Sequence, residues 1–160
     1  DRIVVGEVRR GEALDLIQSM ISGHAGSLTT VHASTPRDCA VRLETLCLMS
    51  DVSLPVYVAR AQVASALHLV IQISRFGDGS RRVQTISEVM GLDDNNNYRF
   101  RDLYRFHSQG LDPEGRLVGG LVPTGNRPTF AKEPFEMGFG DQVQLTKHLF
   151  MSDSDGKPDD

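Results

Sequence analysis

Short apolar runs alternate along this chain with stretches whose apolar residues recur every three or four positions. Ile3-Val4-Val5 is a β-branched run ending at Gly6-Glu7. With no polar residue inside it, the run predicts a strand buried on both faces, as in a parallel sheet. Over residues 11–22 the period changes. Ala13, Leu14, Ile17, Met20 and Ile21 fall at three- and four-residue spacing, Glu12 sits in the first turn, and Gly23 follows as a stop. That pattern predicts a helix. Residues 27–32 (Ser-Leu-Thr-Thr-Val-His) return to strand composition. Thr35-Pro36-Arg37-Asp38 then opens a second helix with a hydroxyl cap, a proline at the first helical position and an acid in the first turn. Its apolar face is Ala40, Leu43, Leu46, Cys47 and Met49. A third helix is predicted from about residue 55 to 68, burying Val56, Ala59, Val63, Ala66 and Leu67.

The second half reads differently. Residues 69–76 and 81–90 are two predicted strands joined through Gly77-Asp78-Gly79-Ser80, a hairpin signal. Asp93-Asp94-Asn95-Asn96-Asn97 predicts a turn, and residues 98–106 alternate like a further strand, with Tyr98, Phe100, Tyr104 and Phe106 on one face. Beyond His107 the chain is rich in Gly and Pro. Short strands are expected at 116–122, a short helix near 133–138, and a disordered acidic end at 151–160. The order of elements predicts an α/β body with an antiparallel finish.

Composition adds limits. The chain has 160 residues, 39% hydrophobic and 24% charged, and no apolar run long enough to span a membrane. Two cysteines exclude a disulfide-built scaffold, and Cys39 and Cys47 read as core thiols. Of the net charge of −4, the last ten residues carry −3, from four Asp and one Lys, so the first 150 are close to neutral. Binding nucleic acid through a basic face is therefore not expected, even though 14 of the 17 basic residues are Arg.

Two segments could carry chemistry. Glu7 ends a buried parallel strand, where α/β proteins place ligand chemistry. A carboxylate there can hold a magnesium water shell or orient an attacking water. The alternative is a strand-end ion pair with Arg9 or Arg10. Gly23-His24-Ala-Gly26-Ser27-Leu28-Thr29-Thr30-Val31-His32 then places one His before the next strand and another at its end. Both are expected near Glu7, where a neutral imidazole can contact a phosphate or its water. A metal centre from Glu7, His24 and His32 is the weaker alternative, because the HExxH-type spacing is missing.

Taken together, Asp1-Arg-Ile-Val-Val-Gly-Glu-Val-Arg9, Gly11-Glu-Ala13 and Ser22-Gly-His-Ala-Gly-Ser-Leu-Thr-Thr-Val-His-Ala33 resemble the Walker B and histidine-box segments of the type II/type IV secretion ATPases. The similarity is strongest to the ATPases of the tight-adherence (Flp) pilus. Ser34-Thr-Pro-Arg-Asp38, Arg42-Leu-Glu-Thr45, Arg60-Ala-Gln-Val-Ala-Ser-Ala66 and Asp78-Gly-Ser-Arg-Arg-Val83 extend it, so that it covers about residues 1–130. The resemblance implies the C-terminal part of a RecA-like P-loop NTPase core, parallel strands with helices, followed by an antiparallel β-hairpin region and an irregular tail. The implied division is 1–106 for the core part, 107–150 for a family-specific tail and 151–160 for the acidic terminus.

The resemblance also implies roles. Glu7 would be the Walker B acid, acting on water or, through water, on Mg2+. His32 and His24 would contact the γ-phosphate of ATP, supported by Thr30, while Gly6 lets the backbone pass close. Arg9, Arg37, Arg42 and Arg60 are candidates for phosphate or cross-subunit contacts. The implied parent is a hexameric, cytoplasmic motor peripheral to the inner membrane that works with platform proteins of a pilus or secretion system. The phosphate cradle G-x-x-x-x-G-K-[ST] does not occur in the sequence, and the glycines of 115–125 read as turns. The chain, which opens on an apolar run without an initiator Met, is therefore expected to be the portion from Walker B onward and inactive alone. A non-catalytic oligomerisation or platform-binding module and a DNA-translocating RecA relative are the alternatives.

Overall fold

A computed structural model of the chain describes residues 2–142. The expected acidic terminus at 151–160 and the end of the 107–150 tail lie outside them. The chain divides into two units, one holding the residues up to Val70 together with Val89–Phe100, the other Ile71–Glu88 and the chain from Arg101 onward.

In the first unit, β1 (Val4–Val5) pairs in parallel with β2 (Leu28–Thr29), Val4 opposite Leu28 and Val5 opposite Thr29. Between them runs α1 (Glu12–Ile21), which ends where Gly23 turns the chain at φ 116°. That positive φ is cheap only for glycine. Next come α2 (Pro36–Leu48) and α3 (Val56–Ala66), and the three helices pack on one another. The start of α2 is as predicted. Thr35 is extended, its hydroxyl accepts the Asp38 amide at 3.1 Å, and Pro36 takes the first helical position. Ile17, Leu43, Cys47 and Val63, each no more than 1% exposed, form the centre of the core. Tyr98, from the start of β5 (Tyr98–Leu111), closes it.

The expectation that the first strand is buried on both faces is corrected. Ile3 and Val5 pack against the core, but Val4 is 73% exposed and its partner Leu28 61%. Among the described residues, only one face of the β1–β2 pair is covered. The second strand is also shorter than predicted. Past Thr29 the regular ladder stops at the bend of Gly6, and a backbone bond from the Val8 amide to the Thr30 carbonyl, 3.1 Å, carries the contact on.

A four-stranded sheet follows in the order β3-β4-β5-β6, from β3 (Leu69–Arg75), β4 (Arg81–Leu92), β5 and β6 (Leu117–Pro123). Strands β3, β4 and β5 contribute residues to both units. Gly77-Asp78-Gly79-Ser80 forms the predicted turn, closed by the Phe76 amide on the Ser80 carbonyl at 2.8 Å. In the second unit Asp78 accepts the amides of Ser80 and Leu117 and the Ser80 hydroxyl, and Phe76 packs on Phe106 with ring centres 4.9 Å apart. The four aromatics therefore do not form one face of one core. Tyr98 and Phe100 serve the first unit, and Phe106 serves the second.

The glycine-rich stretch is corrected likewise. Gly115 occupies a turn at φ 78°, whereas Gly119 and Gly120 lie within β6, antiparallel to β5. At Gly119 a Cβ would fall 2.2 Å from the His107 carbonyl oxygen, so only glycine fits there. Beyond β6 come two 3-10 turns, Thr129–Lys132 and Gly140–Gln142, with α4 (Glu133–Glu136) between them.

Candidate functional site

The carboxyl ends of β1 and β2 bring together most of the residues singled out from the sequence. β1 runs into Gly6 and Glu7, and β2 runs into Thr30 and, two residues on, His32. The Thr30 hydroxyl donates to the Gly6 carbonyl at 2.5 Å, tying the two strand ends together just before Glu7. Thr30 is thereby a strand-end tie. Glu7, with a side chain 22% exposed, has both oxygens engaged. Arg9 Nη2 lies 2.6 Å from Oε2, and His32 Nε2 lies 3.0 Å from Oε1. The Arg9 hydrogen bond, the largest influence, holds the Glu7 carboxyl below its ordinary range; burial, next in size, opposes it, and the nearby Arg9, His32 and Arg42 side chains each add a smaller lowering effect. Arg9 is held correspondingly above its own usual value. The result is a carboxylate kept ionised between a guanidinium and an imidazole. Beside Gly6 the space is open, since a Cβ there would meet nothing within 4 Å.

His24 is not part of this group. Its turn precedes β2, so it lies at the amino end of the parallel pair while Glu7 and His32 follow the carboxyl ends. Its carbonyl accepts the Ser27 hydroxyl at 2.7 Å, and Ser27 in turn accepts the Ile3 amide. Its Nδ1 is buried with no hydrogen-bond partner among the described residues. The expectation of both imidazoles beside Glu7 is corrected for this reason. Among the described residues no group of three or more His, Cys, Asp or Glu side chains is arranged to hold a metal. A centre from Glu7, His24 and His32 is thus not formed.

The arginine candidates also separate. Arg60 is committed inside the first unit: its Nε and Nη2 grip Glu44 at 2.9 and 3.0 Å, and Nη1 reaches the Asn96 carbonyl at 3.3 Å. Tyr98 donates its hydroxyl to the same Glu44 at 3.0 Å. Burial first, and the Glu44 charge second, push the Tyr98 phenol well above its usual value, so it stays a proton donor. Arg37 donates to the Tyr98 carbonyl at 3.2 Å. Arg42, exposed on α2, contributes its charge to the Glu7 site. Sequence reading missed Glu44. Its signal is an acid four residues after Ala40 and three before Cys47, inside the apolar stripe of α2, where a charge needs a partner.

A parallel strand pair with an ionised acid at one carboxyl end and an imidazole at the other, backed by three helices and followed by an antiparallel sheet, narrows the class. Residues 1–103 match the family described as type II/IV secretion system protein, and the chain belongs to that family. It is 38% identical to the conjugal transfer protein TrbB of Rhizobium radiobacter over 99 residues, which is 62% of this chain and 29% of the relative. It is 37% identical to the type IV secretion system protein PtlH of Bordetella pertussis over 84 residues, 51% of this chain and 25% of the relative. The fold is similar to the crystal structure of the VirB11 ATPase from the Brucella suis type IV secretion system in complex with sulphate. There the TM-score is 0.51 at 29% identity, over 59% of this chain and 28% of that one. The chain spans less than a third of the length of these relatives. Among the described residues, no helix is long and apolar enough to cross a membrane.

Proposed function

We propose that this chain supplies the Walker B acid and the histidine-box imidazole of a RecA-like motor that hydrolyses ATP to drive secretion or pilus assembly. The observation that carries the reading is Glu7 at the carboxyl end of a parallel strand with the His32 imidazole on one of its oxygens; the Arg9 contact is what a strand-end ion pair alone would also give. Family membership and the likeness to a secretion ATPase support it.

The residues present fit one edge of a Mg2+–ATP site. Mg2+ keeps several waters and needs only one or two protein carboxylates beside the phosphates. A single Glu7 meets that need. The side chains of Arg9, His32 and Arg42 suit the terminal phosphate, and the open space at Gly6 leaves room for close approach. When bound, Mg2+–ATP supplies the phosphoryl group and the charge that neutralises its transfer. The protein's part is positional and electrostatic. Glu7 orients the attacking water and accepts its proton, which requires one carboxylate oxygen to leave Arg9 or His32. His32, 85% exposed at its side chain, is placed to turn from Glu7 toward a phosphate. The His24 main-chain carbonyl accepts the Ser27 hydroxyl that steadies the amino end of β2, and its imidazole takes no part in this step.

Without a phosphate cradle these 160 residues do not turn over ATP by themselves, and the working motor is a ring of six subunits, cytoplasmic and docked on inner-membrane platform proteins. The test mixes the chain with a separately made segment of a family member that carries the G-x-x-x-x-G-K-[ST] loop. ATPase activity appearing only in the mixture supports the proposal. Turnover by the chain alone, lost in Glu7→Gln, overturns its inactivity. Assembly with the second segment but no activity favours a non-catalytic oligomerisation module instead.

A further inference from the structure

Glu12, the first residue of α1, has no part in the site as described so far, yet it holds the loop on which the site depends. Its Oε1 accepts two consecutive amides, Arg9 at 2.8 Å and Arg10 at 3.1 Å. Behind it α1 is anchored by Ala13, Leu14 and Ile17, all no more than 2% exposed. Gly11, beside it, sits so close to the turn that follows α2 that a Cβ would lie 2.6 Å from Ser50 Cα. At the other end of the loop the Val8 amide is fixed on the Thr30 carbonyl. Arg9 lies between these two anchors, with a side chain 74% exposed, and still reaches Glu7 at 2.6 Å.

An exposed arginine keeps much of its rotamer freedom, and an exposed ion pair contributes little by itself. With the Arg9 backbone already in place, forming the Arg9–Glu7 contact has only the side chain left to order. Glu12 holds that backbone with two charge-assisted bonds, which are about twice as strong as neutral ones.

We propose that Glu12 is a positioning residue that keeps the Arg9 guanidinium on Glu7 by fixing the backbone of Arg9 and Arg10. Its consequence for catalysis rests on the ATPase reading; the contact it maintains does not. In that reading Glu12 sets how tightly the acid is held before a nucleotide arrives.

The test is the Arg9 Nε–Hε resonance of the isotope-labelled chain, read without nucleotide. Glu7→Gln defines its position and exchange rate when the ion pair is lost. Glu12→Ala is expected to carry the resonance at least half of the way to that position, while Glu12→Gln, which keeps an oxygen acceptor, leaves it near wild type. Glu12→Asp covers the case in which Glu12→Ala does not fold. It retains the negative charge that favours a helix N-terminus but withdraws the oxygen from the two amides, so a role in helix stability alone would leave the resonance unmoved. A wild-type resonance in Glu12→Ala, or in Glu12→Asp where Glu12→Ala does not fold, with Glu7→Gln shifted, overturns the proposal. Because no nucleotide is used, that result leaves the ATPase reading standing, and failure of the ATPase test leaves this one standing.

Discussion

Gly11→Ala sets two effects of opposite sign against each other. Gly11 has ordinary helical angles, φ −59° and ψ −18°. At such a position alanine would normally stabilise by about 0.4–1 kcal/mol, because it restricts the unfolded chain. Here the new Cβ would lie 2.6 Å from Ser50 Cα, 2.8 Å from the Met49 carbonyl oxygen and 2.9 Å from the Ser50 amide nitrogen. All three are backbone atoms, so no side chain can swing aside. The end of α2 must move relative to the start of α1, and overpacking of this kind costs about 1–3 kcal/mol. The clash wins, leaving a net loss of about 1–2 kcal/mol. The assay is urea unfolding followed by far-ultraviolet circular dichroism, which reports chiefly on the three long helices of the first unit. With a slope near 2 kcal/mol per M, the midpoint should fall by about 0.5–1 M. Gly6→Ala is the control. Its Cβ would meet nothing within 4 Å, so its midpoint should lie at or slightly above wild type. A Gly11→Ala midpoint at or above wild type would refute the steric account of how α1 and the Glu7 loop are seated on α2.

Ile17→Ala removes a side chain 1% exposed at the centre of the helical core and should cost about 2–5 kcal/mol in the same assay. Arg60→Ala leaves the Glu44 carboxylate, 8% exposed, without its counter-charge; a loss of about 3–5 kcal/mol is expected, larger than for Glu44→Ala, which leaves behind an Arg60 side chain 33% exposed to water. Asp78, held down at about pKa 2 by the Ser80 hydroxyl and then the Leu117 and Ser80 amides, gives a stabilisation that depends on pH. Because its folded value lies below the ordinary 3.8, that contribution is complete above pH 3.8 and is lost as pH falls toward 2. Asp78→Asn should be less stable than wild type at neutral pH, with the gap closing across that window. A gap unchanged down to pH 2 would contradict the assignment.

The helices were legible because their ends carry local chemistry. Thr35-Pro36 and Gly23 announce a start and a stop from side-chain and backbone preferences alone, and the structure places them there. The hairpin turn at 77–80 was legible for the same reason. What the sequence could not decide was which surfaces meet. Ile3-Val4-Val5 is too short and too uniformly apolar to distinguish one covered face from two, and Val4 proves exposed. His24 and His32 flank one strand, but only the parallel register with β1 decides which of them shares an end with Glu7. The Glu44–Arg60–Tyr98 network joins residues 16 and 54 positions apart, a pairing that requires the packing of α2 on α3 and β5. The bonds of Thr30 to the Gly6 carbonyl and of Arg9 to the Glu7 carboxylate join segments whose approach only the folded chain defines.

The central claim is that Glu7 is the acid of an ATP-hydrolysing site. Its most direct test is the steady-state ATPase rate of the chain combined with a segment carrying the phosphate-binding loop, compared between wild type and Glu7→Gln, with Gly6→Ala and His32→Ala alongside. The account predicts that Glu7→Gln lowers kcat by at least about 100-fold, the lower end of the usual contribution of a general base, while the two segments still associate. Undiminished turnover in Glu7→Gln, in a mixture where wild type is active, would contradict it.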